Sequence, residues 1–303
     1  EESPIAIRVN SDIKLIDKIL HSKDMDILLG EILDDEKLNQ FNKSGDLDTS
    51  IGLEGLSRIR INAYVANEKR CLTLRILPDN LPKWQDLGLP QPFIKLTTKE
   101  RGLVLCTGPT GSGKSTTLAA FINCILETQK RHILTIEDPI EFEFNHTKNS
   151  IIHQREVKRD TKSFTSALKA ALREDPDIIY IGEMRDLETI QLAITAAETG
   201  HLVLGTLHTS SAAKTVERIV DVFPADQQEQ ARLQVSTSLA GIMSQTLCKN
   251  NAGKRSLAYE LLINPPAISN LIRERKVSQI YSQLQTGSND GMNTLEQCLQ
   301  ELI

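Results

Sequence analysis

Five cysteines in 303 residues, odd in number and never spaced C-x-x-C, leave neither a disulfide framework nor a zinc ribbon to expect. Cys71, Cys106, Cys124, Cys248 and Cys298 therefore read as free thiols of a reducing compartment, and a cytoplasmic protein is the expectation. Aromatic residues make up only 4%, with Trp84 the single tryptophan, and no run of Lys or Arg interrupts a chain whose 35 basic and 40 acidic side chains leave a net charge of −5. A groove that tracks a nucleic-acid backbone needs clustered positive charge, so that class is disfavoured. No apolar stretch approaches the roughly 20 residues that span a bilayer. Low-complexity tracts and internal repeats are also missing. What is present is a 40% apolar content, enough to build two cores in a chain of this length. The chain opens on Glu1 without a methionine and runs almost at once into a strand-like segment, so residues upstream are expected.

The strongest pattern is Gly108-Pro109-Thr110-Gly111-Ser112-Gly113-Lys114-Ser115, which matches G-x-x-x-x-G-K-[ST] at every constrained position. The apolar run 102–107 before it reads as a buried strand, and Thr116 to Leu126 after it as a helix. Glycines let the backbone wrap a polyphosphate, and the amides at the helix start then face anionic oxygens. Lys114 is placed to neutralise the β- and γ-phosphates and Ser115 to ligate Mg²⁺.

Around this loop the chain divides. Residues 1–78 read as a small domain. Two short strands flank Asn10-Ser11-Asp12, Ser22 caps a helix, a second short helix ends at Gly45, and two alternating strands run over 56–65 and 71–77. The polar face of the first strand carries Arg58 and Arg60, and the second places Arg75 among apolar neighbours. Residues 79–92, punctuated by proline, read as a linker anchored by Trp84. From 93 to 303 strand and helix alternate, the signature of a mostly parallel sheet covered by helices, with helices expected from about 224 and a helical segment running as far as Cys248.

Catalytic groups of such a sheet belong at the carboxyl ends of its strands. Three clusters sit there. Glu137-Asp138, followed by Glu141, can orient a water, although acidic strand ends also occur simply to meet solvent. Glu183 closes Ile178-Ile179-Tyr180-Ile181-Gly182, the position of a Walker B acid, where a Glu in place of Asp suggests contact with the metal through water. His208 ends the strand of 202–207 and is placed to sense a γ-phosphate, whereas His201 precedes that strand and its role stays open.

Together these stretches resemble the secretion-ATPase superfamily that powers type IV pili and type II and IV secretion, and in particular its pilus-retraction branch, the PilT-like proteins. TGPTGSGKSTT is similar to the family Walker A, so Thr116 joins the nucleotide-binding set; LTIEDPIEF to its Asp box; IGEMRDLETI to its Walker B region; and TGHLVLGTLHTSSAAKTVERIVDVFP to its His box. The resemblance implies a PAS-like first domain, a RecA-like second domain, and a homo-hexamer that hydrolyses ATP with Mg²⁺. It also implies that Glu137 or Glu141 is the catalytic carboxylate, that Glu183 is the magnesium-associated acid, and that arginines of the first domain approach nucleotide held by the second. Pilus-extension relatives carry a four-cysteine zinc element after the His box; here that region holds only Cys248. Retraction-type members carry a helix reading AIRNLIRE, and this chain has Ala267-Ile268-Ser269-Asn270-Leu271-Ile272-Arg273-Glu274, with Ser269 in place of Arg. A partner at an inner-membrane pilus platform, reached from the cytoplasmic side, follows from the same resemblance.

Three rivals stand beside this reading, one of them a binding or regulatory module that holds nucleotide without turnover, against which the acidic clusters argue. A secretion or conjugation ATPase on the same fold would depend on a secretion channel instead of a pilus. A RecA-like nucleic-acid motor would show DNA-stimulated hydrolysis that weakens steeply with salt, against which the net charge already argues.

Overall fold

The computed structural model describes residues 2–9, 12–52, 59–77, 80–251 and 253–302, which fall into two compact units, Glu1–Asp79 and Asn80–Ile303. In the first, strands β1 (Ser3–Val9) and β2 (Asp12–Leu20) form an antiparallel hairpin. Helices α1 (Ser22–Ile32) and α2 (Asp35–Ser44) follow. The cap of α1 is His21, not Ser22: its backbone N–H donates to the Asp24 carboxylate at 2.9 Å. Asp34 caps α2 by accepting from Lys37 N, and Gly45, left-handed at φ 73°, ends it.

An antiparallel sheet of β3 (Asp46–Ile51), β4 (Ile59–Ala66) and β5 (Lys69–Ile76) completes the unit. Met25, Leu29, Phe41, Leu47 and Ala63 form its core. Strand β3 is an addition to the expected elements. Its sequence, DLDTSI, carries only two apolar residues and only Leu47 is buried, so its alternation is faint. Arg58 lies outside the described residues.

The second unit begins at Asn80, so most of the expected linker belongs to it: Leu89 is buried in its core, and Trp84 and Leu87 pack against it. After α3 (Gln91–Ile94) and β6 (Gly102–Thr107) come α4 (Lys114–Thr128), β7 (His132–Glu137) and β8 (Ile151–Glu156). Then follow α5 (Phe164–Ala171), β9 (Ile178–Ile181), α6 (Leu187–Glu198), β10 (Leu202–Leu207), α7 (Ala212–Asp221) and α8 (Gln228–Ser238). The chain closes with β11 (Leu239–Lys249), β12 (Arg255–Ile263), α9 (Pro266–Arg273), α10 (Ile280–Thr286) and α11 (Leu295–Glu301).

The seven strands of this unit form one sheet in the order β12-β11-β6-β10-β9-β7-β8, parallel except for β12. Successive side chains of a strand point to opposite faces, and both faces are buried here. Leu103, Leu105, Leu134, Ile136, Ile179, Ile181 and Val203 enter one core with α5 to α9. Val104, Cys106, Ile133, Ile178, Tyr180, Leu202 and Leu204 enter the other, against α4.

The expectation of helix from residue 224 to Cys248 is corrected. Helix α8 stops at Ser238, and Leu239 to Lys249 is a strand beside β6. Gly241 marks the reason: an added Cβ would meet Leu96 Cδ1 at 2.8 Å and Leu262 O at 2.9 Å, so the backbone there packs directly on its neighbours.

Candidate active site

The parallel order places four strand ends in a row, β6, β10, β9 and β7, each about 4.8 Å from the next. The phosphate loop leaves β6, His208 follows β10, Glu183 lies two residues past β9, and Glu137 closes β7.

The loop turns where its glycines allow. Gly108, at φ 141°, would drive a Cβ to 2.2 Å from Gln245 O and 2.7 Å from Ser112 Oγ, so no side chain fits. Gly113, left-handed at φ 89°, precedes α4 without any side-chain cap, and the helix-start amides remain for an outside acceptor. Lys114 is buried, and its Nζ donates to Gly108 O at 2.9 Å and Pro109 O at 3.0 Å. Burial draws its ammonium below the ordinary value, opposed by the carboxylates of Glu183 and Glu141. Ser112 Oγ and Thr107 Oγ1 are buried with no hydrogen-bond partner among the described residues. An uncapped helix start, a buried cation resting on carbonyls and two orphaned hydroxyls fit a polyphosphate.

Glu183 is gripped from two sides. Arg185 donates through Nη2 to Oε2 at 2.6 Å with its Nε 2.6 Å from Oε1, and His208 Nε2 lies 3.0 Å from Oε1. Burial works against the carboxylate, but the hydrogen bond and charge of Arg185, with those of His208, outweigh it and hold the carboxyl below its ordinary value. Gly182 lets this end approach β7, since a Cβ there would lie 3.2 Å from Ile136 O and 3.3 Å from Glu137 Cα. Ser115 and Glu183 supply the hard oxygens that suit Mg²⁺.

Glu137 has the opposite environment. It is buried, and its Oε1 accepts from Thr135 Oγ1 at 2.7 Å and from Gln154 Nε2 at 3.2 Å. Burial pushes its carboxyl up to about 7, helped by the nearby charge of Glu141 and opposed by the two hydrogen bonds. Strand β8 holds the acidic loop beyond it: Gln154 donates to Phe142 O and accepts from Phe144 N, while Glu156 accepts from Ile140 N.

The remaining expected residues lie elsewhere. His201 sits at the start of β10, where its N–H and Nδ1 both reach Ala196 O and close α6, roughly 20 Å along the strand from His208. Arg60 and Arg75 belong to the first unit and face each other across β4 and β5. Arg60 forks onto Asp48, with Nε to Oδ1 at 3.2 Å and Nη2 to Oδ2 at 2.6 Å. In α9, Ile268 and Ile272 are buried and Leu271 packs against the core, whereas Ala267, Asn270, Arg273 and Glu274 are exposed. Ser269 Oγ donates to Ser236 O at 2.8 Å, tying α9 to the end of α8. Sequence reasoning did not single out Arg185, Thr135, Gln154 or Gln245. Of these only Arg185 left a signal, through its place beside Glu183.

A family model described as type II/IV secretion system protein matches residues 43–298. The type IV pilus retraction ATPase PilT of Pseudomonas aeruginosa is 50% identical over 301 residues, 99% of this chain and 87% of that protein. A twitching motility protein of Neisseria gonorrhoeae is 49% identical over 299 residues, covering 98% and 80%. A crystal structure of the pilus retraction motor PilT with bound ADP superposes with a TM-score of 0.92 at 48% identity, covering 99% of this chain and 86% of that one.

Proposed function

This chain belongs to the type II/IV secretion system protein family, and we propose that within it the chain is the ATPase motor of type IV pilus retraction. One observation carries the chemistry: the phosphate loop, His208, Glu183 and Glu137 stand at consecutive strand ends, with Glu183 bonded to Arg185 and 3.0 Å from His208. The near full-length likeness to a retraction ATPase and to a twitching motility protein supports the assignment of the work done.

The chain's residues act mainly by positioning. Amides of Gly111 to Ser115 bind the phosphates, and Lys114 exchanges the Gly108 and Pro109 carbonyls for phosphate oxygens, recovering the charge stabilisation that burial takes from it. Ser115 Oγ and Glu183 would hold Mg²⁺, which would supply neutralisation of phosphate charge. His208, 3.0 Å from Glu183, follows the strand beside the loop and reports the state of the γ-phosphate to α7. Glu137 or Glu141 takes the proton of the attacking water; burial favours Glu137, whose carboxyl it pushes up to about 7. In a homo-hexamer, Arg60 and Arg75 of a neighbouring copy complete the site, so that each turnover moves one domain against the next. The exposed residues of α9 face an inner-membrane pilus platform.

Complementation tests the assignment. In a host lacking its own retraction ATPase, the wild-type chain restores twitching and Lys114→Ala does not. A chain that hydrolyses ATP in vitro but never restores retraction, while supporting a secretion channel, would move the function to the secretion branch.

A further inference from the structure

We propose that Gln245, in the hairpin strand next to the phosphate loop, is a positioning residue that aims the loop's amides at nucleotide phosphate. The inference rests on the reading of 108–115 as the phosphate site. Gln245 and Cys106 are both buried. The carboxamide orientation is fixed by its partners: Nε2 donates to Ser112 O at 2.7 Å, and Oε1 accepts from the Cys106 thiol at 3.0 Å. Ser112 O has no proton to give, so only the amino group serves there. Burial pushes the Cys106 thiol up, which keeps it a donor.

The consequence follows from peptide geometry. A trans peptide is planar and its C=O and N–H point in opposite directions, so holding Ser112 O toward Gln245 turns the Gly113 N–H the other way, into the concave side of the loop. The main chain of residue 245 fixes the loop's other end, since Gln245 O occupies the space that a Cβ on Gly108 would need. One residue of β11 thus sets both ends of the turn, and Gly113, unstrained at positive φ, supplies the freedom that Gln245 removes.

The test replaces the donor and keeps the shape. Gln245→Met is expected to raise the Kd for ADP and the KM for ATP roughly five- to tenfold, the worth of one buried hydrogen bond, while kcat changes by less than about twofold. Backbone hydrogen exchange in the nucleotide-free protein separates positioning from general packing: the amides of Gly111 to Ser115 exchange faster, while those of β6 and β11 keep their protection. Cys106→Ser, which retains a donor to Oε1, binds ADP as wild type does. Unchanged ADP affinity together with unchanged loop exchange in Gln245→Met overturns the inference. Should that variant not fold, Gln245→Leu is read instead, because its side chain cannot donate to Ser112 O, and wild-type exchange of the loop would again overturn it. Loop exchange requires no ligand, so a wild-type chain that binds no ADP refutes the phosphate-site reading independently of this outcome.

Discussion

Glu137 and Glu183 close neighbouring strands, yet the fold drives their carboxyl groups in opposite directions. Glu137 is pushed up to about 7 chiefly by burial, whereas Arg185 and His208 keep Glu183 ionised. If Glu137 takes the proton from water, kcat rises with pH through a limb near 7, and Glu137→Gln abolishes that limb with most of the turnover. A limb that survives this substitution assigns the water to another group. The folded value lies above the ordinary 4.5, so the folded state binds this proton more tightly, and the contribution of Glu137 to stability falls as pH rises from about 4.5 to about 7. Chemical denaturation of wild type and Glu137→Gln at pH 5 and pH 8 checks the sign: the wild type loses stability relative to the variant at the higher pH. For Glu183→Ala, nucleotide binding is retained and turnover drops about 100-fold, a magnitude typical of losing a group that stabilises transition-state charge. Wild-type rates in that variant would remove Glu183 from the mechanism. At this scale the sequence alone brought out the charged groups at the strand ends, because their type and spacing suit phosphate chemistry. It did not find Thr135, Gln154 or Arg185, whose importance comes from what they touch across the sheet or across a turn.

Among the elements, strand β11 was the least legible, whereas its partner LAYELLI already read as a strand. The run LAGIMSQ is apolar on both faces, and a fully buried strand of this kind has the same period-free appearance as a buried helix. Gly241 was the available clue, and one glycine inside such a run also fits a tightly packed helix. The misreading hid a functional connection. Gln245 reaches the phosphate loop from β11, while on β12, beside its partner Ser244, Glu260 accepts from Ala212 N at the start of the helix that follows His208. In α9 the amphipathic pattern was plain, and the structure divides its motif into a packing face and an exposed face. Ile268→Ala should therefore cost about 2–4 kcal/mol of stability. Arg273→Ala and Asn270→Ala should leave the melting temperature and ATP turnover unchanged but lower twitching; unimpaired twitching in both would end the role of that face in partner contact.

For the molecule as a whole, the alternation of strand and helix made the order of the second unit readable, because a parallel sheet buried on both faces needs apolar strands and helical crossovers. The first unit was harder, its β3 carrying too little apolar character to declare itself. How the two units cooperate belongs to the assembled protein. If Arg75 serves the site of a neighbouring copy, mixtures of Arg75→Ala and wild type lose activity along a curve rather than in proportion to the mutant fraction; a straight line would assign it no role between copies. The most direct test of a motor with shared sites is ATP turnover per chain measured against protein concentration, with oligomer size followed in parallel and Lys114→Ala as the control. The account predicts that activity per chain rises as hexamers form and is lost in Lys114→Ala. A monomer that hydrolyses ATP as fast as the oligomer would contradict it.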